Sequence, residues 1–161
     1  MSGAVNMARL CMAVQQQVGA TDGVGNTIYL LIVMVSLHQA LVAEGVEGVE
    51  FVVGYVDYRL IGRHATVAAI ALNGKLWSTN GQTTQREMKE KLVLGLAKDH
   101  MKNTRLQFAQ GEPPHDLLLN VPDDLLMVLR QCVREEQSCA QAHLLEDHTD
   151  NTRSAKAGRR L

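Results

Sequence analysis

Aromatic residues are scarce: two Phe, three Tyr and one Trp make up 4% of 161 residues. A platform that stacks bases or sugars needs several rings on one face, so that class of ligand is not expected. An excess of charge is also lacking. Lys and Arg number 16 against 17 Asp and Glu, a net of -1 with His neutral. No overall field therefore favours nucleic acid or an anionic membrane as a partner. Cysteine is sparse and odd in number: Cys11, Cys132 and Cys139 have neither the density nor the pairing of a secreted disulfide scaffold. A reducing, cytoplasmic setting is expected. Long hydrophobic runs are missing too. Ile28 to Val35 is apolar throughout, but Ser36, His38 and Gln39 stop it short of a membrane span. The opening MSGAVNMARLCMAV has no basic start, continuous apolar core or small-residue cleavage site, so no signal peptide is expected.

What is present is an ordinary globular composition, 46% hydrophobic, in a chain long enough for one domain with a true core. Residues 1–148 are read as that domain and 149–161, ending AKAGRRL, as a disordered polar and basic tail. The domain is organised around Glu50 to Gln82. Phe51 to Tyr58 and His64 to Leu72 have strand length and strand composition, with Arg59 to Gly62 as a break between them. Asn73-Gly74 separates Leu72 from Lys75-Leu76-Trp77. Asn and Gly tolerate the positive φ of a type I′ turn, so a tight hairpin is expected there. Both faces of the first two strands are apolar: Phe51, Val53 and Tyr55 on one side of the first, Val52 and Val56 on the other. A sheet with one wet face alternates more cleanly, so this one must be covered on both sides.

Helical patterns flank it. Residues 4–18 carry a weak apolar stripe at Met7, Leu10, Cys11, Val14 and Val18, ended by a glycine-rich break. Ile28 to Ala43 is apolar nearly all round and belongs in the centre, capped by Asn26 or Thr27 and stopped by Gly45. Thr84-Gln-Arg-Glu87 is a capping box for a helix reaching about Met101, with Glu87 and Lys91 spaced to pair. Arg105 to Ala109 has the alternation of an edge strand, and Gly111 to His115 reads as a loop. Pro122 opens a last helix whose inward stripe is Leu125, Leu129, Cys132, Val133, Ala140 and Leu144.

An apolar helix running into GVEGVEFVVGYV, a strand led by His64, an NG hairpin and a further strand ending near Asn80 form a recognisable order. Over residues 25–81 it resembles the core of the transglutaminase-like, papain-like cysteine peptidase fold. The resemblance implies a Cys at the start of the central helix as nucleophile, a His opening a following strand as base, and an Asp or Asn that orients it. A helix N-terminus lowers a thiol pKa and an adjacent imidazole takes its proton, which is why those positions suit the chemistry. Carried onto this sequence, His64 is the base and Asn80 the orienting residue, with Ser78 or Thr79 as substitutes. The nucleophile is absent: Gly25-Asn26-Thr27 stands where the family carries Cys. In a permuted form of the fold Cys132 or Cys139 would serve, but both fall inside a helix, away from its positive end. Cys139 and His143 share a helical face with Cys132, yet a structural zinc site normally needs four ligands, and packing is the simpler role. His115 in its loop and His148 in the tail carry no pattern. No phosphate loop, GxSxG elbow or HExxH pair occurs.

The expectation is therefore one α+β domain, a buried central helix on a three- to four-stranded antiparallel sheet with flanking helices. Its expected role is that of a soluble, non-catalytic binding or regulatory module, a pseudoenzyme-like scaffold without its nucleophile. No cofactor and no metal is expected; a protein or peptide partner is. An amidase or acyltransferase using His64, and a small assembly subunit, are the competing readings.

Overall fold

The computed structural model describes residues 5–19, 27–58, 63–93 and 105–160, with side chains described over 5–17, 30–56, 66–93 and 106–142. Its centre is a helix. Helix α2 (Thr27–Ala43) follows helix α1 (Met7–Gly19) and buries Val33, Val35, Leu37, Ala40 and Leu41 almost completely. Ser36 is equally buried, and its hydroxyl donates to the Ile32 carbonyl at 2.7 Å. A polar side chain is tolerated there because the bond is made within the helix itself.

The end of α2 shows why it stops. Gly45 takes φ 80, the Gly45 amide donates to the Val42 carbonyl at 3.1 Å, and the Val46 amide donates to the Leu41 carbonyl at 3.0 Å. This is the two-bond left-handed cap that glycine favours, and Val46 turns inward to join the core beside Leu41. Glu44, just before the cap, receives Nε of both Arg130 and Arg134 at 2.9 Å, and Gln137 donates to its carbonyl at 3.0 Å. These three residues belong to the last helix, so the end of α2 is tied to it.

The sheet has five antiparallel strands: β1 (Glu50–Tyr58), β2 (Arg63–Leu72), β3 (Lys75–Ser78), β4 (Gly81–Thr83) and β5 (Arg105–Gly111). Their spatial order is β4-β3-β2-β1-β5. The Asn73-Gly74 turn forms as the sequence implies, with φ 54 and 76 and Leu72 paired to Lys75. The strand expected from Arg105 exists and pairs with β1 at one edge. Strand β4 was not expected: three residues are too short to show alternation, so the sheet is one strand larger than its sequence pattern implies.

Both faces of the sheet are covered. Phe51, Val53, Ile70 and Leu72 face α1, α2 and the last helix, while Val52 and Ala69 pack on Met88 of helix α3 (Gln85–Val93). Helix α3 is capped by Thr84, whose hydroxyl accepts from the Glu87 amide at 3.1 Å. The capping box is only half made. The Glu87 carboxylate instead accepts from the Thr83 hydroxyl at 3.0 Å, and the ion pair on this helix is Arg86–Glu90 at 3.4 Å rather than Glu87–Lys91. The expected continuation to Met101 lies outside the described residues.

A one-turn helix α4 (His115–Leu118) begins at His115, the last residue of the segment read as a loop. Helix α5 (Asp123–Arg160) follows, burying Leu129 and Val133 completely against α2. Its backbone is helical through 149–160, where the sequence reading expects a disordered tail. Arg, Lys and Ala there can extend a helix by local preference without any apolar stripe.

Candidate functional site: a cleft at the open edge of β2

Strand β2 is longer than its outer neighbour. It pairs with β1 from Arg63 to Ala71, but with β3 only from Ile70 to Leu72. The short β3 turns away at Thr79-Asn80 into β4. Its turn is held by the Ser78 hydroxyl, which accepts from the Asn80 amide at 3.3 Å and donates to the Gly81 carbonyl at 3.4 Å. Gly81 restarts the chain at φ 109, a conformation that side-chain-bearing residues rarely adopt. The outer edge of β2 from Arg63 to Ala69 consequently has no ladder partner among the described residues.

A cleft of about 110 Å³ lies along this edge. Leu30, Leu31 and Met34 of α2 form one wall, and Met88 and Lys91 of α3 the other. Thr66, Val67 and Ala68 of β2 border it, and the turn residues Ser78, Thr79 and Asn80 close one end together with Thr83. The cleft is thus apolar on its helical wall and hydroxyl-rich at the turn. Lys91 is the one charged residue among the described lining residues; it is exposed and has no ion pair among them.

The two residues singled out from the sequence stand differently. Asn80 is exposed at the β3–β4 turn and borders the cleft. His64 lies in β2 opposite Asp57 in register, two positions before the cleft residue Thr66. The His64 side chain lies outside the described residues, as do Gly25 and Asn26; Thr27 is the first residue of α2. Ser78 is committed to its turn and Thr83 to Glu87, so neither hydroxyl is poised beside a described base.

No cysteine lines the cleft. Cys11 is buried in α1, and burial pushes its thiol up to about 11. Cys132 is half-buried within α5 and its thiol is also raised, by burial and then by the charge on Glu135. Cys139 is exposed on the same helix. Among the described residues no group of three or more His, Cys, Asp or Glu side chains converges as a metal cage. The side chain of His143, the proposed companion of Cys139, lies outside them.

Sequence reasoning noticed His38 only as an interruption in an apolar run. It is buried in α2, with its ring edge-on to Phe51 at 6.1 Å between centroids. Burial lowers its pKa, opposed by a hydrogen bond to the Val49 backbone and by the charge on Glu112. It is a core histidine away from the cleft. No helix among the described residues is long and apolar enough to cross a membrane.

The fold class these observations define is α+β, a five-stranded antiparallel sheet between helical layers. Comparison with known protein families, curated proteins and solved structures finds no match.

Proposed function

We propose that the protein is a non-catalytic binding or regulatory module whose ligand surface is the cleft along β2. The observation that carries this reading is the make-up of the cleft. It combines an apolar helical wall with hydroxyls, an amide and one ammonium group, and among the described residues its lining contains no thiol, imidazole or carboxylate. Such a lining recognises a ligand by shape and hydrogen bonding. Nucleophilic chemistry needs an activated nucleophile within reach of a base. The transglutaminase-like resemblance fits this as a scaffold that keeps its sheet and central helix while lacking the cysteine.

A small-fragment screen followed by amide chemical shifts of the full chain tests the reading. Fragments should perturb Thr66, Ser78, Asn80 and Lys91 together; perturbations gathered elsewhere would overturn it. One observation favours the amidase alternative, with His64 as base and Asn80 as its orienting residue: Asn80 borders the cleft and His64 is two positions from Thr66. Hydrolysis of a chromogenic amide that disappears in His64→Ala would move that alternative to first place.

A further inference from the structure

The direction of the β2 peptide groups can be read from its pairing. A two-residue turn makes Leu72 and Lys75 a hydrogen-bonded pair, and in an antiparallel ladder such pairs recur at every second residue. Leu72 and Ile70 therefore direct their N–H and C=O groups at β3. By the same period Thr66 and Ala68 direct theirs at the outer edge, where β3 no longer runs, while Val67 and Ala69 bond to β1. The described backbone bonds outside helices and strands include none from Thr79 or Asn80 to this edge.

Natural sheets protect such edges with proline, charges, bulges or extreme shortness. The other two edges fit that habit. Strand β4 has three residues, and β5 carries Gln107 and Gln110, begins at Arg105 and runs into Glu112-Pro113-Pro114. Between Ala65 and Ala69 the β2 edge has none of these devices. Its peptide groups border a cleft with an apolar wall on one side and, on the other, the cation Lys91, which has no ion pair among the described residues.

We infer that this edge receives an extended peptide segment of a partner protein, added to the sheet as a strand beside β2 and presenting an acidic side chain to Lys91. The inference rests on the cleft being the binding surface, and it specifies the ligand. Main-chain bonds to Thr66 and Ala68 would supply affinity, as in other cases of strand addition. The side chains would divide between the α2 wall and the α3 side because successive residues of a strand point to opposite faces. Roughly 20 Å of edge from Arg63 to Ala69, at about 3.3 Å per residue, accommodates a segment of six or so residues. Lys91 is the one charged side chain among the described lining residues, which favours one carboxylate over several.

The test uses the full chain and random octapeptides displayed on phage. Selected peptides should be enriched in β-branched residues around one Asp or Glu, and on binding should shift the Thr66 and Ala68 amides. N-methylation at alternate residues should weaken the best peptide at least tenfold in one register and little in the other, since only one edge of an added strand faces β2. Lys91→Glu, an exposed substitution outside the core, should reverse the preference from acidic to basic peptides. Ala68→Pro, which removes a donor at the edge, should abolish binding where the β1–β2 amide pattern shows that the sheet is intact. Equal tolerance of N-methylation in both registers, or Lys91→Glu leaving the acidic preference unchanged, would overturn the inference. Failure to select any peptide, with fragments still binding in the cleft, would also overturn it and leave the binding-module reading standing.

Discussion

Gly54 of β1 and Phe108 of β5 lie directly opposite each other, and the aromatic ring fills the space a side chain at Gly54 would need. A Cβ placed there would stand 2.8 Å from Phe108 Cε1 and 2.9 Å from Leu92 Cδ1. Glycine at this strand position lets the ring and α3 close on the sheet. Gly54→Ala should therefore destabilise the fold by ~1–3 kcal/mol, the usual cost of overpacking. Urea unfolding measures it, and pairing the change with Phe108→Leu should recover part of the loss, because contacting sites are not additive. An unchanged midpoint in Gly54→Ala would mean that β5 does not pack there.

The Asn73-Gly74 turn makes a second prediction. Gly74 sits at φ 76 and a Cβ added there would meet nothing within 4 Å, so backbone strain alone decides the outcome. Gly74→Val should cost ~1–2 kcal/mol, the left-handed penalty of a residue with a Cβ. Gly74→Asn should cost less, since Asn enters that region more readily. Equal melting temperatures for wild type and Gly74→Val would contradict the turn geometry.

His38 links stability to pH. Its pKa is lowered below the usual 6.5, chiefly by burial, so the folded state binds its proton less readily than the unfolded chain does. The sign follows from linkage: the contribution is complete above pH 6.5 and is lost as pH falls from there toward the lowered value. The Glu44 carboxylate, held below its usual 4.5 first by its hydrogen bond from Arg130, acts in the same direction at lower pH. Thermal unfolding should show stability falling between neutral pH and pH 5.5, and His38→Leu should flatten that part of the curve. A wild-type curve that is flat across this range would show that His38 accommodates its charge.

The thiols should differ by access and not by activation. Cys139 is exposed, Cys132 half-buried and Cys11 buried. A thiol-reactive probe should label them in that order, with Cys11 modified only on unfolding. Exposure alone separates Cys139 from Cys11. His64→Ala should leave all three rates unchanged. Rapid labelling of Cys11 or Cys132 that depends on His64 would reveal thiolate chemistry and favour the amidase reading.

Much of the fold was legible because local chemistry and tertiary need agree at its key points. The NG turn, the apolar α2 with its Gly45 stop, the two-sided β1 and β2, and the Leu129–Val133 stripe each carry a signal that packing then reinforces. What the sequence hides is relational. Three residues of β4 contain no period to detect, and the half-made capping box depends on Thr83 drawing Glu87 away. The cleft is hidden for the same reason. It arises because β3 stops at Ser78 while β2 continues beside it, a mismatch in length across a ladder that no single segment records. Asn80 was marked from a resemblance and borders the cleft, whereas Thr66 and Ala68 carry no motif and emerge only from the strand register, and Lys91, noticed only as a possible partner of Glu87, joins the cleft through the packing of α3.

The central claim is that the outer edge of β2 stands open for a ligand, and amide hydrogen exchange of the free protein tests it most directly. Thr66 and Ala68 should exchange orders of magnitude faster than Val67 and Ala69, whose amides bond to β1. Protection of Thr66 and Ala68 equal to that of Val67 and Ala69 would contradict the account, because it would mean that the edge is already occupied within the chain.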